Sequence, residues 1–171
     1  MPPSGAFEIG ESFVGEGRNA AHVNTVLGPR DGPAGAAWAT GLATPSAGHA
    51  PFVAVVRPGL PAKPATLFVN KAAIAGETHA SLTWGAAQAG VAAGVLDAVA
   101  EGVIAASDVD DLALIAAVWV SPEADDADAV YRNNRAATRE ALAAGRRREP
   151  RLADALAARA RPENPFFRPR S

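Results

Sequence analysis

Residues 21–35, AHVNTVLGPRDGPAG, carry the pattern from which the fold is read. His22, Val23, Asn24, Thr25, Val26 and Leu27 are mostly strand formers, and Gly28, Pro29, Gly32 and Pro33 end the strand abruptly. Side chains alternate along an extended chain, so His22 and Asn24 share one face and Val23 takes the other. Two readings of that polar pair stay open. A histidine on a half-buried strand can be a satisfied structural residue, or its imidazole can donate a proton near neutral pH, with Asn24 orienting the ring or a substrate.

Working outward, Phe7–Glu16 alternates loosely around Gly10 and reads as a strand with a kink or bulge at the glycine. Gly15 and Gly17 permit a tight return, so the first two strands are expected to form a hairpin. Downstream, Pro33–Leu42 reads as a short helix with proline at its first position and with Trp38 and Leu42, four apart, on its buried face. The loop GPRDGPAG lacks the lysine and following Ser or Thr of a phosphate-binding loop, and that reading is set aside. Ala50–Val56 is a nearly continuous apolar run and reads as a central strand. Pro58–Pro64, with three prolines, is expected to be an irregular connector. It leads to a strand at Ala65–Asn70, which ends at Lys71, either a hydrated surface charge or a site residue.

Residues 72–83 carry no clear pattern. Gly85–Glu101 has the clearest helical period, with Val91, Val95 and Val99 on one stripe and Gly102 as a stop. Gly90 and Gly94 give this helix a thin surface, expected to lie close against a sheet. Gln88 falls in its first turn, as an exposed polar residue or as an amide that reads a heterocycle by donating and accepting at once. Ser107–Asp111 is an acidic turn before a buried strand at Leu112–Val120, whose Trp119 is assigned to the core or to a subunit contact. Asp125–Ala144 is an amphipathic helix with acids early and arginines late, an order that suits the helix dipole. Without a dinucleotide-binding glycine fingerprint, this order of elements predicts an α+β or two-layer α/β domain.

Composition bounds the rest. The 171 residues are 49% hydrophobic and 20% charged, as expected for one soluble domain. Much of the apolar content is alanine and aromatics are 6%, so the core is modest and subunit contacts are expected to help it. The absence of cysteine excludes disulfides, thiol nucleophiles and thiolate metal sites. MPPSGAFEIG has neither the basic nor the apolar region of a signal peptide, and no run is long enough to span a bilayer, so the expectation is cytoplasmic with no membrane partner. The net charge of -2 is uneven: residues 1–145 hold eight Lys and Arg against fifteen acids, residues 146–171 eight Arg against three. A main domain over 1–150 and an Arg-rich tail over 151–171 are expected. The tail reads as solvated or subunit-docking, with Phe166 and Phe167 as anchors to a neighbour, rather than as a nucleic-acid patch.

Four segments, in order, resemble one family: IGESFVGEGRNAAHVNTVLGPRDGPAG from Ile9, GHAPFVAVVRPGLPAKPATLFVNKAAI from Gly48, WGAAQAGVAAGVLDAVAEGVI from Trp84 and ADDADAVYRNNRAATREAL from Ala124. IGES with VGEG, the AHVN strand, LPAKPATL, FVNK and AAQ are the specific pieces, and the resemblance to the formaldehyde-activating enzymes runs from about Ile9 to Pro150. It implies a two-layer sheet-and-helix α+β domain similar to ribosomal protein S5 domain 2, with helices on one face, assembled as a homopentamer with sites between neighbouring subunits. It implies condensation of formaldehyde with tetrahydromethanopterin, a co-substrate, to the methylene derivative and water. No tightly bound cofactor and no metal are implied.

By the same resemblance His22 is the catalytic acid that protonates the departing hydroxyl of a carbinolamine, and the substrate contacts fall on Asn24, Val53, Lys71, Ala73 and Gln88. The chain departs from the family where Asn24 stands for aspartate, Ala73 for threonine and Val53 for leucine, and YRNNRAAT replaces the usual pattern of the last helix. Losing the carboxylate at Asn24 removes a group that could hold the histidine protonated. A working lyase is one outcome; the alternative is a non-catalytic paralogue that binds a pterin or formaldehyde adduct as carrier or sensor. A desolvated Lys71 is also a group able to form an imine with an aldehyde.

Overall fold

In the computed structural model, which describes residues 7–170, β1 (Glu8–Val14) and β2 (Ala21–Pro29) form the expected antiparallel hairpin around a 3-10 turn at Gly17–Asn19. Their register runs without interruption from Glu8 opposite Leu27 to Val14 opposite Ala21, so Gly10 makes no bulge. Its glycine serves packing instead: a Cβ there would lie 1.8 Å from the Ala141 carbonyl oxygen. Helix α1 (Pro33–Ala43) follows, with proline in its first turn. Trp38 is half-buried and its indole donates to the Ala65 carbonyl at 3.1 Å, whereas Leu42, expected inside, is 38% exposed.

The apolar run Ala50–Val56 is not one central strand. It splits into β3 (Phe52–Val53) at the sheet edge and β4 (Val55–Arg57), which pairs with β5 (Leu60–Pro61) as a separate ribbon. The break is at buried Ala54, whose amide donates to Thr66 while its carbonyl accepts from Ala62. The proline-rich connector thus carries a short strand; Pro61 lies on a two-stranded edge, where a missing N–H is tolerated.

Next come β6 (Ala65–Asn70), α2 (Glu77–Ser81), a π-helical turn at Leu82–Ala87 and α3 (Gln88–Ala100). The last elements are β7 (Leu112–Trp119), α4 (Ala127–Arg147) and the short α5 (Leu152–Ala158). α4 starts at Asp126, whose carboxylate accepts from the Ala129 amide at 2.9 Å, and runs three residues past its expected end.

The main sheet has the order β1-β2-β7-β6-β3, with only β6 and β7 parallel. Val23, Leu27, Phe68, Leu114, Ala116 and Val118 point to one face, where α3 and α4 bury them. Burying a Val, Leu or Phe side chain contributes about 1.5–3 kcal/mol, so this layer dominates the stability. The thin surface of α3 meets α4, not the sheet: a Cβ at Gly90 would lie 2.5 Å from the Tyr131 carbonyl and one at Gly94 2.6 Å from that of Arg135. The fold is therefore the expected α+β, a sheet with two long helices on one face. One helix departs from that plan. α1 lies on the opposite face, where Gly41 abuts Leu67, and leaves the remainder of that face open.

Candidate active site

Strand register builds the site on the open face. Pairing places Glu11 opposite Asn24 and Phe13 opposite His22, with His22 in turn opposite Trp119 of β7. On β6 the same face carries Leu67 and Val69, and the next outward residue is Lys71, whose amide donates to the Val118 carbonyl at 2.8 Å. The chain is held there by Asn70, whose side-chain amide donates to the carbonyls of Gly48 and Ala72. His49 adds Nδ1–H to the Asn70 carbonyl at 2.8 Å.

Four side chains from three strands meet. Lys71 Nζ lies 2.7 Å from Asn24 Oδ1 and 3.1 Å from His22 Nδ1, and His22 Nε2 lies 2.9 Å from Glu11 Oε1. Phe13 lies against the imidazole, with ring centroids 5.1 Å apart. The His22 side chain is 31% exposed, so it is neither sealed in the core nor free in water.

Electrostatics follow from that half-burial. Burial, and then the Lys71 charge, hold His22 below its usual pKa, against the opposing pull of Glu11. Burial lowers Lys71 to about 8, again opposed by Glu11. At neutral pH the imidazole is thus mostly neutral; Nε2–H donates to Glu11, and Nδ1 is the acceptor facing Lys71. Glu11→Gln removes the one charge that raises both groups. The His22 titration followed by NMR is expected to move to lower pH, and a shift upward would contradict this arrangement.

Of the residues named from sequence, His22, Asn24 and Lys71 come together. Val53 is half-buried on β3, on the same face as Leu67, its partner in β6. Ala73 is exposed and lies beside Gly48. Gln88 stands apart: it is buried, not exposed, and its side-chain carbonyl accepts from the Val55 amide. That bond ties α3 to the β4–β5 ribbon. Gln88→Leu leaves the Val55 donor unpaired and is expected to cost about 1–2 kcal/mol in urea denaturation; an unchanged midpoint would deny Gln88 its structural role.

Glu11 lies in the IGES piece, but the sequence alone assigns it no role; only the hairpin register carries it to His22. The remaining histidine, His79, is buried and structural, accepting at Nδ1 from the Ala75 amide and donating from Nε2 to Val120, both at 3.0 Å. Beside the site, Phe13, Trp119 and Phe166 help line a cleft of about 1070 Å³. Phe166 meets Trp119 edge-on at 5.9 Å, so the tail docks one aromatic on its own chain.

A family profile described as "Formaldehyde-activating enzyme (Fae)" matches residues 9–167. The chain belongs to the formaldehyde-activating enzyme family. The family match extends past residue 150 into the Arg-rich tail. Among relatives, a protein of Methanosarcina barkeri named "5,6,7,8-tetrahydromethanopterin hydro-lyase" is 40% identical over 158 residues, covering 92% of this chain and 89% of that protein. A "Bifunctional enzyme Fae/Hps" of Methanococcoides burtonii is 46% identical over 134 residues, covering 78% of this chain and 34% of the relative. The Methanosarcina mazei protein of the same name is 44% identical over 136 residues, covering 80% of this chain and 35% of its own length. This member of the formaldehyde-activating enzyme family thus spans about a third of those bifunctional relatives. No helix among its described residues is long and apolar enough to cross a membrane.

Proposed function

We propose that this chain condenses formaldehyde with tetrahydromethanopterin, giving methylene-tetrahydromethanopterin and water, as a carbon-oxygen lyase of one-carbon metabolism and formaldehyde detoxification. The observation that carries this reading is the meeting of His22, Asn24 and Lys71 beside an open cleft, in a chain that is 40% identical to a tetrahydromethanopterin hydro-lyase.

The reaction asks for orientation and proton transfer. An amine of the pterin adds to the aldehyde, and the resulting hydroxyl leaves as water once it is protonated. His22 is the group that delivers this proton, because its ring is half-exposed on the open face and Glu11 fixes its orientation. Its depressed pKa makes the protonated ring the stronger acid, though a smaller fraction of it is charged at pH 7. Lys71 and Asn24 supply polar contacts beside it. Aromatic walls from Phe13 and Trp119 suit a flat heterocycle, and the cleft is large enough for a small-molecule substrate. Val53 and Ala73 are assigned to the rim of the same site, and Gln88 to its support.

We assign the site to a crevice between copies of the chain in a homopentamer in the cytoplasm. Supporting this, Ile9 and Phe13 are exposed on the open sheet face on either side of Glu11, large apolar side chains that a neighbour would cover. Tetrahydromethanopterin acts here as a co-substrate, with no tightly bound cofactor. The deciding experiment is stopped-flow mixing of purified protein with formaldehyde and tetrahydromethanopterin. Methylene-pterin formation faster than the spontaneous rate supports the lyase; pterin binding without acceleration would leave the carrier or sensor reading.

A further inference from the structure

We propose that Lys71 is a covalent nucleophile toward formaldehyde, capturing it as an iminium on Nζ with His22 as the proton shuttle and Glu11 as the group that aims the ring. The proposal rests on the reading above only for the identity of the aldehyde.

The geometry is that of an activated nucleophile: an attacking atom within hydrogen-bond reach of a base, and the base oriented by a third group. Lys71 Nζ faces His22 Nδ1 at 3.1 Å, and Glu11 takes the opposite ring nitrogen at 2.9 Å. An imidazole aimed only at an outside hydroxyl would not need its Nδ1 turned toward a lysine. As a free amine, Lys71 has two N–H groups, and two acceptors are present, Asn24 Oδ1 at 2.7 Å and His22 Nδ1. The lone pair is left to the remaining side of the nitrogen. Asn24 sharpens the effect, since a neutral amide accepts the hydrogen bond without the negative charge that would hold the ammonium protonated.

Burial brings Lys71 to about 8, so about a tenth is free amine at pH 7, against less than about one part in a thousand for an ordinary lysine. In the step itself, Nζ attacks the carbonyl carbon, the N–C bond forms and the C=O pair moves to oxygen. Nζ gives a proton to His22 Nδ1, and the oxygen takes from water the equivalent of the proton that the ammonium released on becoming the free amine, leaving a carbinolamine. His22 then returns its proton to the hydroxyl as the C–O bond breaks; water leaves, and the nitrogen lone pair makes the iminium. The two protons lost from the original ammonium end on that water, and the positive charge remains near Glu11. An acceptor amine that adds to the iminium carbon and expels Lys71 restores the site.

The chain contains its own control. Lys63 and Lys71 are its only lysines, and Lys63 is exposed and paired with Asp110 at 2.6 Å. Full-length protein is mixed at pH 7 with formaldehyde and cyanoborohydride, without pterin, and N-methylation of each lysine is followed by peptide mass spectrometry. Lys71 is expected to be labelled about tenfold or more faster than Lys63, on the free-amine fractions above. His22→Ala is expected to slow Lys71 labelling about tenfold while leaving Lys63 unchanged, and Asn24→Asp to slow it several-fold. Labelling of Lys71 no faster than Lys63, or undiminished in His22→Ala, overturns the proposal. Fast trapping with no acceleration of pterin condensation would preserve this inference and sink the proposed function; acceleration without trapping would do the reverse.

Discussion

His22→Ala is expected to lower the catalysed part of methylene-pterin formation by about 10²–10⁴-fold, the span usual for loss of a positioned proton donor. The spontaneous reaction sets a floor, so the loss is read as acceleration above background. Folding should be untouched, because the ring lies on the open face and is 31% exposed. Circular dichroism and the urea midpoint are the controls. The residual rate would come from Lys71 and Asn24 alone, which still border the site. Full acceleration in the variant would hand the acid role to another group.

Gly10→Val is expected to be severely damaging to the fold, costing about 3 kcal/mol or more. A Cβ at this position would sit 1.8 Å from the carbonyl oxygen and 2.5 Å from the carbonyl carbon of Ala141. Both are backbone atoms of α4, so no side chain can swing aside. β1 would have to separate from the helix that covers it, in a domain whose total stability is of the order of 5–15 kcal/mol. Gly17 provides the contrast: it has φ +65°, but a Cβ there would meet nothing within 4 Å. Gly17→Asn, which tolerates that backbone region, is expected to cost about 1 kcal/mol or less. Equal urea midpoints for the two variants would mean that β1 and α4 are not in this contact.

These two positions mark what is legible in the sequence. The hairpin, the Ala65–Asn70 and Leu112–Trp119 strands and α4 all follow local periodicity, and local periodicity is enough to find them. Gly10 stands out as a glycine in a strand, but its reason lies in α4, more than a hundred residues away. Glu11 is likewise invisible until the register sets it beside Asn24. The break at Ala54 depends on a hydrogen bond to Thr66, so a continuous apolar run reads as one strand. Gln88 reads as a first-turn residue, either exposed or aimed at a heterocycle, because the π-helical turn before it, which leads the chain into α3, leaves no mark in the hydrophobic pattern. His22, Asn24 and Lys71 are visible in the sequence, two through alternation and all three through resemblance. Their mutual distances need the sheet.

The two glycines that let α3 press against α4 also decide where the molecule can breathe. With backbone nearly touching backbone at Gly90 and Gly94, the paired helices and the strands resting on them behave as a stiff floor. Opening to admit a substrate then falls to the rim, where the β4–β5 ribbon and the short β3 edge have few partners. Turnover in such a protein would be timed by loop motion above a floor that does not yield.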